Sequence, residues 1–244
     1  MEKEQKDTPP FWADDDLSFF IQMANENTYA IFNNKKKEFE IIKNVDQLYG
    51  TIIDNLKNPK DFLASMLLLR SHATYRGACR MSLSGQIYEA FVLLRSCIES
   101  SLYALHINKN PSAGKKWIDR HKSEESLKDA KNEFKFGTVI KTLQSVDSSI
   151  SQTTKLIYER TIDFGGHPNE RAIASSMKVI EKEGRKEYQQ LYLIGNTKIL
   201  TYGLNSTAQV GLCALYILRH VFKERFDIIG ITQKMDQCRS IVKL

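Results

Sequence analysis

Apolar residues spaced three and four positions apart predict two neighbouring helices in the first half of the chain. One stripe occupies residues 62–81 and the next occupies residues 87–105. Apolar side chains at this period line one face of an α-helix, so each stretch is expected to bury a single face. Only Ser84 and Gly85 separate the two ends, which favours an antiparallel helical hairpin.

Other stretches of the chain carry a similar helical period, and one carries a strand pattern. The two apolar stretches around the turn residues 183–186 indicate a β-hairpin rather than a helix. The pattern therefore predicts a mainly α-helical bundle with a small inserted β-hairpin. The further predicted elements are a first helix opened by residues 14–16, helices at residues 39–56, 150–164, 196–226 and 228–244, and strands at residues 175–182 and 187–194.

The order of these elements predicts one helical domain over residues 1–244. We divide it into an N-terminal helical arm at residues 1–60, a bundle core at residues 61–165 and 196–244, and the hairpin insertion at residues 172–195. The sequence contains no internal repeat and no low-complexity tract. A single domain is therefore the simpler interpretation.

Residues 199–218 contain no charged side chain and are long enough to cross a bilayer. Asn205, Ser206, Thr207 and Gln209 nevertheless lie near the middle of this run. A helix buried in the centre of a large bundle has the same composition. We therefore interpret the run as a core helix and expect no membrane partner.

Composition restricts the function classes only weakly. The 244 residues have a formal net charge of +6, which permits an RNA partner without requiring one. The four cysteines form no C-x-x-C pair and the N-terminus has no apolar signal segment, so we expect a cytoplasmic protein. Gly-rich nucleotide loops, H-E-x-x-H and G-x-S-x-G are absent from the sequence, and we expect no cofactor.

Charged residues inside the two best-defined helices require partners. If the hairpin turns near Gly85, Arg70 faces Glu99 and Arg80 faces Glu89, which predicts two interhelical ion pairs. The alternative is that Arg95 or Glu99 lines a polar pocket.

The densest group of chemically active side chains lies at residues 159–170. Arg160 and His167 are seven positions apart, which places them on one face of a continuous helix about 10 Å apart. The intervening Gly165 and Gly166 can break the helix and bring His167 nearer to Arg160. An arginine that grips phosphate and a histidine that moves protons near neutral pH suit phosphodiester chemistry.

This Arg-x6-His spacing resembles the motif of the HEPN superfamily of helical-bundle proteins. The chain also resembles the longer, Abi-like bacterial members, in which a helix of the form "eA..LLRs.iE" precedes a segment ending in His-Pro-Asn. Here these are residues 89–99 and residues 167–169, and the resemblance covers about residues 60–225.

The resemblance implies a metal-independent endoribonuclease, often a toxin or antiphage effector, with an active site formed across a homodimer. His167 would activate the ribose 2′-OH or protonate the leaving oxygen, and Arg160 would hold the scissile phosphate. Asn169, Arg95 and Glu99 are expected to support substrate binding. The product would be a 2′,3′-cyclic phosphate.

Two alternatives remain open. The chain can be a non-catalytic interaction module, such as an antitoxin or a scaffold within a defence complex, since many HEPN relatives are catalytically silent. It can also present Glu159, Asp163 and His167, at four-residue spacing, to a divalent metal. Two lysine clusters are either solvated or guide an RNA backbone. They lie at residues 35–37 and at residues 115–116.

Overall fold

The fold is a helical bundle with an inserted β-hairpin, as predicted. The computed structural model describes residues 8–166, 170–182, 184–242 and 244, and 79% of these residues are helical. The helices are α1 Asp16–Asn34, α2 Lys36–Asp54, α3 Phe62–Ser84, α4 Ile87–Lys109, α5 Pro111–Ile118, α6 Glu124–Glu133, α7 Phe136–Val146, α8 Ser148–Thr161, α9 Glu170–Ser176, α10 Lys198–Arg219, α11 Lys223–Ile229 and α12 Ile231–Val242. The strands are β1 Met177–Lys182 and β2 Arg185–Gln190.

The predicted hairpin of α3 and α4 forms, and its turn is held by neighbouring segments. Gly85 ends α3 in the left-handed conformation, at φ 88°. Asn27 of α1 donates its side-chain amide to the Ser84 carbonyl at 2.8 Å, and Ile194 donates its N–H to the Gly85 carbonyl at 2.9 Å. A Cβ at position 85 would lie 2.5 Å from the Ile194 oxygen, so both the conformation and the close approach require glycine.

The uncharged run forms α10, which lies in the centre of the bundle against α4, α3 and α2. Most of its residues are buried, as predicted for a core helix. It is shorter than predicted because the chain turns at residues 220–222 before α11, which brings Phe226 into the core. Among the described helices, α4 alone is long and apolar enough to cross a membrane, and 67% of its most apolar window is buried.

The predicted arm contributes to the same core, because α2 buries Val45, Tyr49 and Ile52. The strands β1 and β2 pair antiparallel, from Met177 opposite Gln190 to Lys182 opposite Arg185. Both faces of this hairpin are largely exposed.

Candidate functional site

Helix α8 carries Arg160, the first residue of the predicted catalytic pair. The Asp147 carboxylate caps its N-terminus by accepting the Ile150 N–H at 2.9 Å. Ile157, Tyr158 and Thr161 are buried against the bundle, whereas Arg160 is half-buried near the C-terminal end. Packing of its neighbours therefore fixes the direction of the Arg160 side chain.

Neutral side chains of α10 hold the Arg160 guanidinium. Its Nη1 donates to Gln209 Oε1 at 2.5 Å and to Ser206 Oγ at 3.4 Å. The guanidinium carbon lies 5.6 Å from the centroid of the Tyr202 ring. No carboxylate of the described residues lies within ion-pairing distance of Arg160, so none of them neutralises its positive charge directly.

Arg160 opens into a cavity of about 380 Å³. A second cavity of about 650 Å³ shares Tyr202 and Asn205 with the first. We call the two together the Arg160 groove. Its charged lining residues are Lys35, Lys37, Glu38, Arg160 and Lys198. Four cations against one carboxylate make the groove positively charged.

The chain leaves α8 through the turn Ile162–Gly166, whose backbone departs from helical geometry at Gly165, with φ 177° and ψ −26°. This turn packs against α4. Phe164 stacks on Phe91 of α4 and lies against Tyr202, with both centroid distances 5.5 Å. A Cβ on Gly165 would lie 3.1 Å from Phe91 Cβ and nearer still to the Tyr88 carbonyl oxygen. The absence of a side chain at position 165 is what allows the turn to approach α4.

His167 and Asn169, predicted as catalytic and substrate-binding residues, lie outside the described residues. The last described residues before them, in the Ile162–Gly166 turn, adjoin the groove through the contact of Phe164 with Tyr202.

Arg95 and Glu99 lie on the other side of α8. Arg95 Nε donates to Glu99 Oε1 at 2.9 Å within α4, and the Tyr158 hydroxyl donates to the same oxygen at 2.8 Å. Burial, together with the Glu99 carboxylate, raises the pKa of Tyr158, so this hydroxyl remains a donor. Tyr158 and Arg160 are about 200° apart around α8. The structure therefore brings neither Arg95 nor Glu99 to Arg160.

The two predicted interhelical ion pairs are wrong. Glu99 is bound by Arg95 of its own helix rather than by Arg70. Arg80 donates to Thr28 and Asn25 of α1 rather than to Glu89. Counting residues from the turn aligned α3 with α4 but ignored α1, which packs on α3 and supplies these partners.

No group of three metal-ligating side chains occurs within the described part of the chain. The predicted set of Glu159, Asp163 and His167 includes a residue outside that part, so the metal alternative stays a prediction.

The groove residues on α10 were visible in the sequence but not assigned to the site. Asn205, Ser206 and Gln209 appeared only as polar exceptions in an uncharged run. In the structure all three line the cavity beside Arg160, whereas Thr207 is buried in a hydrogen bond with Ser82 at 2.7 Å. Asn205 and Gln209 are four positions apart, so they lie on the same face of α10, and this face borders the cavity.

A model of DUF5677, described as a family of unknown function, matches residues 61–199, more than half of the chain. The chain belongs to the DUF5677 family. No curated protein and no solved structure matches it at a significant level.

The DUF5677 match includes Arg160, the Ile162–Gly166 turn and the β-hairpin. Tyr202 and Gln209 on α10, and Lys35 and Lys37 at the junction of α1 and α2, lie outside the match. The Arg160 groove of this DUF5677 protein is thus assembled from matched and unmatched parts of the chain.

Proposed function

We propose that this DUF5677 protein is a HEPN-like, metal-independent endoribonuclease that acts in bacterial defence or a toxin–antitoxin response, with Arg160 and His167 as its catalytic residues. The observation that carries the proposal is the state of Arg160. It lies half-buried in an open, basic groove without a carboxylate partner among the described residues. An arginine held only by neutral groups keeps its charge available for a phosphate.

The groove also suits a nucleic acid chain. Lys35, Lys37 and Lys198 can follow successive phosphates, since lysine side chains supply the salt-dependent part of RNA affinity. Tyr202 is 41% exposed beside Arg160, and exposed aromatic rings stack on unpaired bases. The proposed roles are that Arg160 holds the scissile phosphate and His167 transfers the proton of the attacking 2′-OH or of the leaving oxygen. The product would be a 2′,3′-cyclic phosphate.

A non-catalytic interaction module is the second candidate, and exposed apolar residues on α1 favour it. Leu17, Phe19, Tyr29 and Phe32 are each at least 48% exposed. An apolar surface of this kind is typical of a protein contact. It serves equally in an antitoxin, in a scaffold or in the homodimer that the ribonuclease proposal expects.

Cleavage of labelled total tRNA and mRNA in EDTA distinguishes the two candidates. The wild type is expected to cleave, while His167→Ala and Arg160→Ala should each lose about 100-fold or more. Two control variants on the α5–α6 side of the bundle remove an exposed histidine, in His121→Ala, and an exposed cation, in Lys128→Ala. Both controls should cleave like the wild type.

The proposal fails if the folded wild type cleaves no RNA, or if the Arg160 and His167 variants cleave as well as the controls. Loss of wild-type cleavage in EDTA alone would instead support the metal alternative. Arg160→Lys adds a finer test, because it keeps the charge but loses the planar fork. It should bind RNA with nearly the wild-type salt dependence and cleave it more slowly.

A further inference from the structure

The C-terminal end of α12 forms part of the wall of the Arg160 groove. Ile241 and Val242 line the cavity into which Arg160 opens. Ile241 is exposed, whereas Val242 is buried. Helix α12 packs against α2 and α10, and it lies outside the residues that the DUF5677 model matches. The cavity around Arg160 is therefore completed by a helix from the unmatched part of the chain.

Gln209 of α10 connects this helix end to Arg160. Its Nε2 donates to the Val242 carbonyl oxygen at 2.7 Å, and its Oε1 accepts from Arg160 Nη1 at 2.5 Å. The Val242 carbonyl lies in the last turn of α12, where carbonyl groups have no partner within their own helix. One amide group therefore satisfies a helix end with its nitrogen and a guanidinium with its oxygen.

These two partners fix the orientation of the Gln209 amide. A backbone carbonyl can only accept a hydrogen bond, so the end of the amide beside Val242 is the NH₂ group. The other end is then the oxygen, which faces the donors of Arg160 because a guanidinium can only donate. The bond to Val242 thus determines which atom of Gln209 meets Arg160 and from which side.

An uncharged side chain at position 209 leaves the charge of Arg160 available. A glutamate of the same length would form a charge-assisted pair with Arg160 and neutralise it. Its second oxygen would also face the Val242 carbonyl with no proton to donate, at the negative end of the α12 dipole. Glutamine holds the guanidinium in place without either effect.

We propose that Gln209 is a positioning residue for Arg160. The Val242 carbonyl orients the Gln209 amide, and the amide directs the guanidinium into the groove with its charge free to bind an RNA phosphate. This inference rests on the proposed function, since it takes RNA as the ligand of the groove. Gln209 acts only through Arg160 and takes no part in proton transfer.

Binding of the labelled tRNA pool tests the charge part of the inference. It is measured in the His167→Ala background, in which the RNA is expected to stay intact. Adding Gln209→Glu should weaken binding at least tenfold and lower the slope of log K against log salt by about 0.7–0.9, the share of one phosphate contact. Gln233→Glu is the matched control, because it makes the same charge change at an exposed position of α12 that does not line the groove. Its binding should be unchanged.

Two further variants show whether Gln209 acts through Arg160. In a protein that also carries Arg160→Met, Gln209→Glu should weaken binding less than threefold, because no guanidinium remains to be neutralised. Gln209→Leu removes both hydrogen bonds but leaves the charge of Arg160. With His167 intact, it should bind RNA with the wild-type salt slope and cleave it at least tenfold more slowly, in kcat rather than KM. A general loss of structure would lower binding and cleavage together.

Urea unfolding first establishes that each variant is folded under the assay conditions. The inference is overturned if Gln209→Glu binds like Gln233→Glu, if it weakens binding equally with and without Arg160, or if Gln209→Leu cleaves at the wild-type rate. Binding that follows the expected pattern without any cleavage by the wild type would refute the ribonuclease proposal and support the role of Gln209. A wild type that binds no RNA would overturn both.

Discussion

Replacing Gly165 with alanine tests how the turn before His167 is positioned. The new Cβ would lie closer than 3.0 Å to the Tyr88 carbonyl oxygen and 3.1 Å from Phe91 Cβ. Ordinary contacts between a carbon and a carbonyl oxygen are about 3.3–3.6 Å long. The oxygen belongs to the backbone of α4, so it cannot rotate away as a side chain would. The Ile162–Gly166 turn must therefore withdraw from α4.

The expected cost follows from this overlap. Inserting a methyl group into a packed contact typically lowers stability by about 1–3 kcal/mol. For a chain of this size, each kcal/mol lowers Tm by about 2–4 °C. The displacement also moves the segment that leads to His167. Misplacing a catalytic group by about 1 Å can reduce the rate 100-fold, so cleavage should fall far more than the folded fraction at the assay temperature.

Urea unfolding gives the free energy of unfolding of Gly165→Ala, and the EDTA cleavage assay gives its activity. Gly137→Ala serves as the control, because its Cβ meets no atom within 4 Å and alanine favours the helix by up to about 1 kcal/mol. A Gly165→Ala protein as stable as the Gly137→Ala protein would refute the contact with α4. Normal stability with lost cleavage would contradict the steric reasoning but leave a role in catalysis.

Two further predictions concern α10 and the residue that follows it. Burial lowers the pKa of His220 despite its partner Asp147, 3.2 Å away. The unfolded chain therefore binds the proton more readily than the folded one. The neutral His220 contributes its full share to the free energy of unfolding above about pH 6.5, and this contribution is lost as the pH falls through the folded pKa. Urea unfolding between about pH 7.5 and 5 should show a smaller acid loss in His220→Gln than in the wild type or in the exposed control His121→Gln, and equal losses would contradict the assignment. Gly211→Ala would place a Cβ 2.7 Å from Cδ2 of the fully buried Tyr75 ring, so thermal unfolding should show a loss of about 1–3 kcal/mol; a gain in Tm would show that the ring moves aside freely.

Some residues of the proposed site could be predicted from the sequence, and others were found only in the structure. Arg160 was predicted from its spacing to His167, and its placement in an open basic groove agrees with the role proposed for it. Tyr202 and Gln209 were not predicted, because a residue's period along its own helix does not show which other helix it faces. Lys35 and Lys37 had two open interpretations, and the choice between them stays a prediction: Lys37 lines the cavity of Arg160 and Lys35 lines the adjoining cavity.

Local sequence predicts the helix periods, the Gly85 turn and the β-hairpin, because each of them depends on residues only a few positions apart. A glycine at a left-handed turn, or apolar side chains three and four apart, have the same consequence in almost any fold. The partners of charged side chains depend instead on helices distant in sequence. Arg80 binds α1, Arg160 binds α10, and Glu99 binds Tyr158 of α8 in addition to Arg95 of its own helix. These choices follow from how the helices pack together, because only packing decides which polar groups lose water and must find each other.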